Sequence, residues 1–416
     1  MKVQSIGVVG FKAHYVNVDI GASSINGSMK IKILDENGNQ IAYSQGQVFR
    51  KNEQRTEGKF EQNVANGIKK LEKDNSELIS TIDPDNEAYV TICYPGPRVD
   101  GGFKLSNFYY DNARSNRFER PINPDNIDSL LGYSDRVDTS LMQRGVTIAR
   151  TRHVNDMAGA GACILNKLQK EYPELLQEGE EILFLYPGGG LGSGILSVDK
   201  DIIKIKPSEM QHVKNPKNEG QSLETNVGVP GLIANYADSL KLSPEERMKI
   251  EGNAKVVTSI AEAKKYLIGY SDEKLQEASR TAICEYLDSL AQLSVMHVCT
   301  SKSKTVVLTG NTLNGIRRYI NKNKAYVPDP KFSKAGEEKF NAIFREMVDK
   351  KLTTVGKSIL GEPTDLNVVC IEIKDNTEGA QLLQASQEVG LAKWYNCEKG
   401  PKITHLDLGD YTGVIK

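Results

Sequence analysis

The chain has 416 residues, 39% hydrophobic and 26% charged, a length suited to two domains and a composition that excludes both a disordered polymer and a disulfide-built scaffold. Lys and Arg total 53 against 54 for Asp and Glu, so no basic excess announces a nucleic-acid or membrane-surface partner. Six scattered cysteines without a CxxC pair, no signal-peptide h-region and no apolar run long enough to span a bilayer together predict a cytoplasmic chain.

Residues 15–20 (YVNVDI), 29–34 (MKIKIL) and 40–44 (QIAYS) alternate in the strand manner, with turns at SSINGS and at the Asn-Gly pair of DENGN. Val64, Ile68 and Leu71 place one apolar face on a helix within 58–77, and 88–93 (AYVTIC) resumes as a strand. The same order returns further on. Residues 182–186 (ILFLY) read as a strand, PGGGLGSG as a glycine-rich turn, then 195–199 (ILSVD) and 202–206 (IIKIK) as two more strands. Repetition at the period of a whole domain predicts an α/β chain of two similar halves facing each other. Helices are predicted after Glu224, once or twice across 244–266, and from about Asp272 with Leu275, Ser279, Ile283, Tyr286, Leu290 and Leu293 on one side. Residues 305–309 (TVVLT) form a strand ending at Gly310, 366–373 another strand and 378–389 a helix; from Lys393 the chain reads as a partly extended tail.

Four stretches carry residue types suited to chemistry. Asp19 ends a strand and precedes Gly21, Ser23 and Ser24 in DIGASS; small residues there let backbone amides approach phosphate oxygens, and the carboxylate suits a hydrated Mg2+. A plain hairpin turn uses the same residues. The run 188–194 (GGGLGSG) lacks both the following helix of a Rossmann loop and the Lys-Ser/Thr ending of a Walker loop, and fits either phosphate or a wide structural turn. Asn155-Asp156 stands between the strand-like VTIARTRHV and the helix-like MAGAGACILNKL, so Asp156 suits a catalytic carboxylate, a helix N-cap, or both. Glu209, His212 and Glu224 gather in a polar stretch that lacks the HExxH order and cysteines of a zinc site; each alone also suits a plain surface position.

Taken in order, DIGASS, YPGPRVDGGFKLSN, the Asn-Asp pair, GGGLGSG, ExxH, LE and the strand-linked TGN resemble the ROK-type and bacterial glucokinase branch of the sugar kinase, Hsp70 and actin superfamily. The resemblance implies two ribonuclease-H-like (actin-like ATPase) domains with ATP in the interdomain cleft: residues 1–156 with about 379–416, and 157–378. It implies Asp19, Gly21, Ser23 and Ser24 as a first phosphate loop, with Asp19 holding Mg2+ through water. Gly189, Gly190 and Gly192 fall in the second phosphate loop, and Gly310 and Asn311 begin the adenosine loop. Asn107 (within Leu105-Ser106-Asn107), Asn155, Asp156, Glu209, His212 and Glu224 match sugar ligands, Asp156 being also the catalytic base. The zinc run CxCGxxGC of the family is absent, so no structural zinc is expected. Gly189 stands where Thr is common and Asn311 where a second Gly is usual, so the nucleotide contacts depart further from the family than the sugar contacts.

The implied activity is ATP-dependent phosphorylation of a hexose, with glucose to glucose 6-phosphate, a glycolytic step, as the first choice. Kinases for fructose, N-acetylglucosamine or N-acetylmannosamine are alternatives, as is a non-catalytic sugar-sensing regulator. A regulator would carry a helix-turn-helix, for which a first strand beginning by Tyr15 leaves no room. An actin-like filament former would have no use for ExxH and LE. The partner reading is a hexose, with no nucleic acid and no membrane, and leaves a homodimer open.

Overall fold

Val16, Val18 and Ile20 alternate with Tyr15, Asn17 and Asp19 along the first strand, β1 (His14–Gly21), so one face joins the apolar core and the other carries the polar groups. The computed structural model describes residues 13–22, 24, 26–35, 39–83, 88–105, 107–111, 116–133, 136–137, 147–148, 151–200, 202–208, 214–215, 218–300, 304–322, 339–356, 367–373 and 405–407. β2 (Ser28–Leu34) and β3 (Gln40–Gln47) complete an antiparallel meander with β1. α1 (Glu57–Asp74) and α2 (Ser76–Ile82) then cross to β4 (Ala88–Tyr94), which pairs with β1 in parallel. The short hairpin β5 (Arg98–Val99) and β6 (Gly102–Phe103), α3 (Pro124–Leu131) and the pair β7 (Arg136–Val137) and β8 (Thr147–Ile148) lead to β9 (Thr151–Asn155). β9 joins β4 in parallel, giving the order β3-β2-β1-β4-β9, and runs straight into α4 (Asp156–Glu171). Phe60, Val64 and Ile68 of α1 are buried in this core, where Phe60 meets Phe108 edge-on at 5.3 Å between centroids.

The chain divides into two compact units at Cys163 and Ile164, inside α4. In the second unit β10 (Glu181–Pro187), β11 (Leu191–Asp199) and β12 (Ile202–Pro207) repeat the antiparallel meander. The hairpin β13 (Lys214–Asn215) and β14 (Asn218–Ser222) precedes α5 (Glu224–Val227), α6 (Val229–Leu240), α7 (Pro244–Ile250), α8 (Lys255–Thr258), α9 (Ile260–Tyr266) and α10 (Asp272–Thr300). β15 (Thr305–Leu308), α11 (Asn311–Lys322), α12 (Lys339–Gly356), β16 (Asn367–Cys370) and β17 (His405–Asp407) complete the described elements. β15 pairs with β10, and β16 with β15, both in parallel. The sheet order β16-β15-β10-β11-β12-β17 therefore repeats the first sheet strand for strand, with one strand added at its edge. The six residues marked for one side of α10, from Leu275 to Leu293, are all buried.

Four details differ from the sequence reading. Residues 244–266 form three short helices, because Gly252 turns left-handed at φ 73° and Ser259 starts a new helix by accepting the Glu262 N–H. Residues 331–351, between the strand expected at 305–309 and that at 366–373, carry no expected element but contain most of α12, whose Phe340, Ile343, Phe344, Val348 and Leu352 are buried in the second core. β11 starts at Leu191 rather than 195, so Gly192 and Gly194 lie within a strand. β17 pairs with β12 of the second sheet, so this piece of the tail belongs there rather than with the first domain; the helix expected at 378–389 lies outside the described residues. Among the described residues no helix is long and apolar enough to cross a membrane.

At the start of β1, His14 is buried with Nδ1 2.7 Å from Asp83 Oδ2 and Nε2 3.1 Å from Glu72 Oε1, while Tyr133 donates to the other Glu72 oxygen. Burial alone pushes the imidazole down, but the bonds to Asp83 and Glu72 and their charges outweigh it and hold its pKa above the ordinary 6.5. A raised folded-state pKa gives stability that is fully present below about pH 6.5 and is lost as pH climbs through the raised value. Thermal melts of wild type and His14→Gln from pH 5.5 to 9 should therefore show a gap in Tm that is largest at the acid end and narrows with rising pH. A gap independent of pH would mean an imidazole whose pKa folding does not shift, and a gap that widens with rising pH one held neutral in the fold.

Candidate functional site

The junction of β9 and α4 is held by one side chain. Asn155 Oδ1 accepts the Met157 N–H at 2.8 Å, and its Nδ2 donates to the Gly96 carbonyl at 2.7 Å. The N-cap role left open for Asp156 is thus filled by Asn155, and Asp156 is the first residue of the helix. Gly96 is itself packed against the chain that follows β6: a Cβ there would stand 2.3 Å from the Lys104 carbonyl oxygen.

Asp156 is half-buried, and its carboxyl pKa is pushed up to about 8, first by burial and second by the charge of Asp19, against a smaller downward pull from the N–H groups of Met157 and Asp156. Asp19 leaves β1 directly opposite Lys30 of β2, and their charged ends are 3.8 Å apart. Asp19 and Asp156 are neighbouring carboxyl groups whose joint ionisation is unfavourable by itself and would be favoured by a divalent cation. Mg2+ takes one or two carboxylates and keeps several waters, so Asp19 with Asp156 fits it. Among the described residues no group of three or more His, Cys, Asp or Glu forms a fuller metal cage.

In the second unit the glycine-rich turn narrows to residues 188–190, closed by the Gly188 N–H donating to the Gly190 carbonyl at 2.7 Å. Glu224 reaches this turn: its Oε1 accepts the Leu191 N–H at 3.1 Å. A Cβ on Gly190 would stand 2.2 Å from that oxygen, so Gly190 is the residue that admits the carboxylate. Gly194 has a packing reason of its own, since a Cβ there would lie 2.3 Å from the Phe184 ring. Gly310 has φ 107°, and a Cβ on it would meet the Pro187 carbonyl at 2.7 Å; the Thr309 N–H donates to the Leu185 carbonyl. These approaches set Gly310 and Asn311, the start of α11, beside the strand end from which the glycine turn departs.

The first unit thus brings together Asp19, Asn155 and Asp156, and the second brings together Gly189, Gly190, Glu224, Gly310 and Asn311. Gly192 sits within β11 opposite Tyr186. Gly21 ends β1, where a Cβ would stand 2.5 Å from Ser28 Oγ, and the Ser24 carbonyl accepts the Gly27 N–H. Asn107 is exposed in a turn closed by the Phe108 N–H on the Leu105 carbonyl. Ser23, Glu209 and His212 lie outside the described residues. Sequence reasoning missed Gly96, whose signal was the YPGP turn, and Lys30, whose signal was its register opposite Asp19.

No protein-family model and no curated protein matches the chain in sequence. Solved structures resemble it in fold. A ROK-family transcriptional regulator homologous to the MLC protein of E. coli is 11% identical, with 91% of this chain and 80% of that chain covered and a TM-score of 0.57. A glucokinase from Balamuthia mandrillaris in complex with glucose is 13% identical, with coverage of 91% and 95% and a TM-score of 0.55. A proposed sugar kinase from Cytophaga hutchinsonii is 15% identical, with coverage of 89% and 99% and a TM-score of 0.52. The chain has the mixed α/β, actin-like ATPase fold of the ROK sugar kinases and their regulator relative.

The raised pKa of Asp156 has a consequence for stability. The folded state holds a proton that the unfolded chain releases near 3.8, so its contribution is fully present below that value and lost as pH rises to about 8. The Tm of Asp156→Asn should exceed that of wild type by a margin that widens between pH 5 and 8 and then levels. A constant margin would mean an ordinary, solvated carboxylate.

Proposed function

We propose that the chain is an ATP-dependent sugar kinase that phosphorylates a hydroxyl of a hexose, with glucose as the first candidate and fructose, N-acetylglucosamine and N-acetylmannosamine as the next. The observation that carries this reading is Asp156: a half-buried carboxylate at a helix start, held high in pKa beside a second carboxylate. Clustered perturbed groups of this kind mark functional sites more often than plain surface ones.

Phosphoryl transfer asks a protein to align a hydroxyl with the γ-phosphorus and to balance oxygen charge. The ionised form of Asp156, which bound Mg2+ would favour, accepts the proton of the attacking hydroxyl; a base with a pKa of about 8 holds that proton more firmly than an ordinary carboxylate, and such a base contributes about 10² to 10⁴ in rate. Asn155 has one amide hydrogen and one oxygen lone pair left after its bonds to Gly96 and Met157, enough to give and take one hydrogen bond with a neighbouring sugar hydroxyl. Residues 188–190 offer phosphate a backbone free of side chains, and Gly310 with Asn311 offers a nearby edge to the nucleoside. Mg2+, held by Asp19 through water and near Asp156, would neutralise phosphate charge. Glu224 has one oxygen on the Leu191 N–H, leaving the other for a sugar hydroxyl, so sugar and glycine turn share one carboxylate.

A second reading is a sugar-binding regulator without catalysis, favoured by the fold likeness to the ROK regulator. ADP release with and without each of the four sugars separates the two. Sugar-dependent release that falls at least about 100-fold in Asp156→Asn supports the kinase, and Glu224→Ala should raise KM for both sugar and ATP. Sugar binding by calorimetry with no sugar-dependent ADP release would favour the regulator.

A further inference from the structure

Beside the β9–α4 junction lies a hydrogen-bonded triad to which the kinase reading gives no task. Tyr94 Oη is 2.9 Å from His153 Nδ1, and His153 Nε2 is 2.8 Å from Asp128 Oδ1. Tyr94 is fully buried, whereas the side chains of His153 and Asp128 are 9% and 35% exposed. An ionised carboxylate only accepts, so Nε2 carries a hydrogen; in the neutral imidazole Nδ1 is then the acceptor and the tyrosine hydroxyl donates. The Tyr94 ring stacks on Phe103 at 4.4 Å and on His153 at 5.8 Å. Burial, and then the charges of Asp128, Glu61 and Cys93, push the phenol well above its usual range, so it remains a donor and is no nucleophile.

We propose that Tyr94, His153 and Asp128 are positioning residues that fix the Asn155–Asp156 pair; its catalytic consequence rests on the kinase reading. Tyr94 stands opposite Asn155 in the β4–β9 register, and His153 lies two residues before Asn155 on the same strand. The Tyr94 carbonyl accepts the Gly96 N–H at 3.0 Å, the Gly96 carbonyl accepts the Asn155 amide, and Asn155 caps α4. Displacing Tyr94 or His153 therefore moves both ends of the clamp that orients Asp156. Asp128 anchors the triad to α3, whose N-terminus is tied to α1 because Glu61 accepts the Asn123 N–H and the Asn126 side-chain amide, each at 2.9 Å. The clamp is thus referenced to α1, whose Phe60, Val64 and Ile68 are buried in the core of the unit.

Tyr94→Phe keeps the stacked ring and removes only the hydroxyl. Asp128→Ala removes the acceptor for Nε2–H at a partly exposed position, and Asp128→Asn restores one through its amide oxygen. Steady-state kinetics, thermal melts and NMR hydrogen exchange at the Met157 amide are read for each variant. The first two variants should lower kcat by about 10-fold or more, as misorientation does, with KM for ATP unchanged. They should also speed Met157 exchange by about 10-fold while staying folded at the assay temperature, and Asp128→Asn should return both readings close to wild type. Met157 exchange as slow as wild type in both disruptive variants overturns the positioning role, as does a kcat loss that Asp128→Asn fails to recover. A wild type that phosphorylates none of the sugars overturns the kinase reading instead, and the Met157 exchange then decides the positioning role alone.

Discussion

The place where β9 stops governs the chemistry of the first unit. Parallel pairing with β4 brings Asn155 level with Tyr94, and the two hydrogen bonds of its amide fasten the strand end to the Gly96 loop and to the first turn of α4. With the cap supplied by Asn155, the Asp156 carboxylate is not committed to capping. The backbone N–H groups of Met157 and Asp156 favour its ionised form, but burial and then the charge of Asp19 disfavour ionisation more strongly. A carboxylate with that history can hold a proton near neutral pH, which a solvated one cannot.

The second unit solves a different problem with the same strand order. Its glycines are not interchangeable: Gly190 admits the Glu224 carboxylate, Gly194 admits the Phe184 ring, and Gly310 admits the Pro187 carbonyl with a backbone that L side chains rarely adopt. Residues 188–190 form the turn itself, tied to the start of α6 by the Val229 N–H on the Gly188 carbonyl. The Glu224 bond to the Leu191 N–H joins that turn to the start of α5, so a group that touches the free oxygen of Glu224 also acts on the turn.

Much of the fold was legible because alternation and helical spacing are local. The two meanders and the long α10 follow from patterns local in the chain, and the duplication from the recurrence of one such pattern a domain's length later. α12 is also written locally, in Phe340, Ile343, Phe344, Val348 and Leu352, although none of the motifs that carry the family resemblance falls there. The site was legible only in part. Asn and Asp are both good caps, and a helix start shifts by one residue without changing its apolar pattern, so which of Asn155 and Asp156 caps α4 had to come from geometry. The Glu224 bond spans 33 residues, and the links from Tyr94 to His153 and from His153 to Asp128 span 59 and 25; no local signal announces contacts at such separations.

The account turns on a single carboxyl group, and its titration can be read directly. In the free protein, 13C NMR of the Asp156 carboxyl carbon, assigned by its loss in Asp156→Asn, should show a midpoint near the expected value of about 8. The midpoint should fall in Asp19→Asn, which removes the neighbouring charge. A midpoint close to 3.8, the ordinary value for Asp, unchanged by that substitution, would contradict the account.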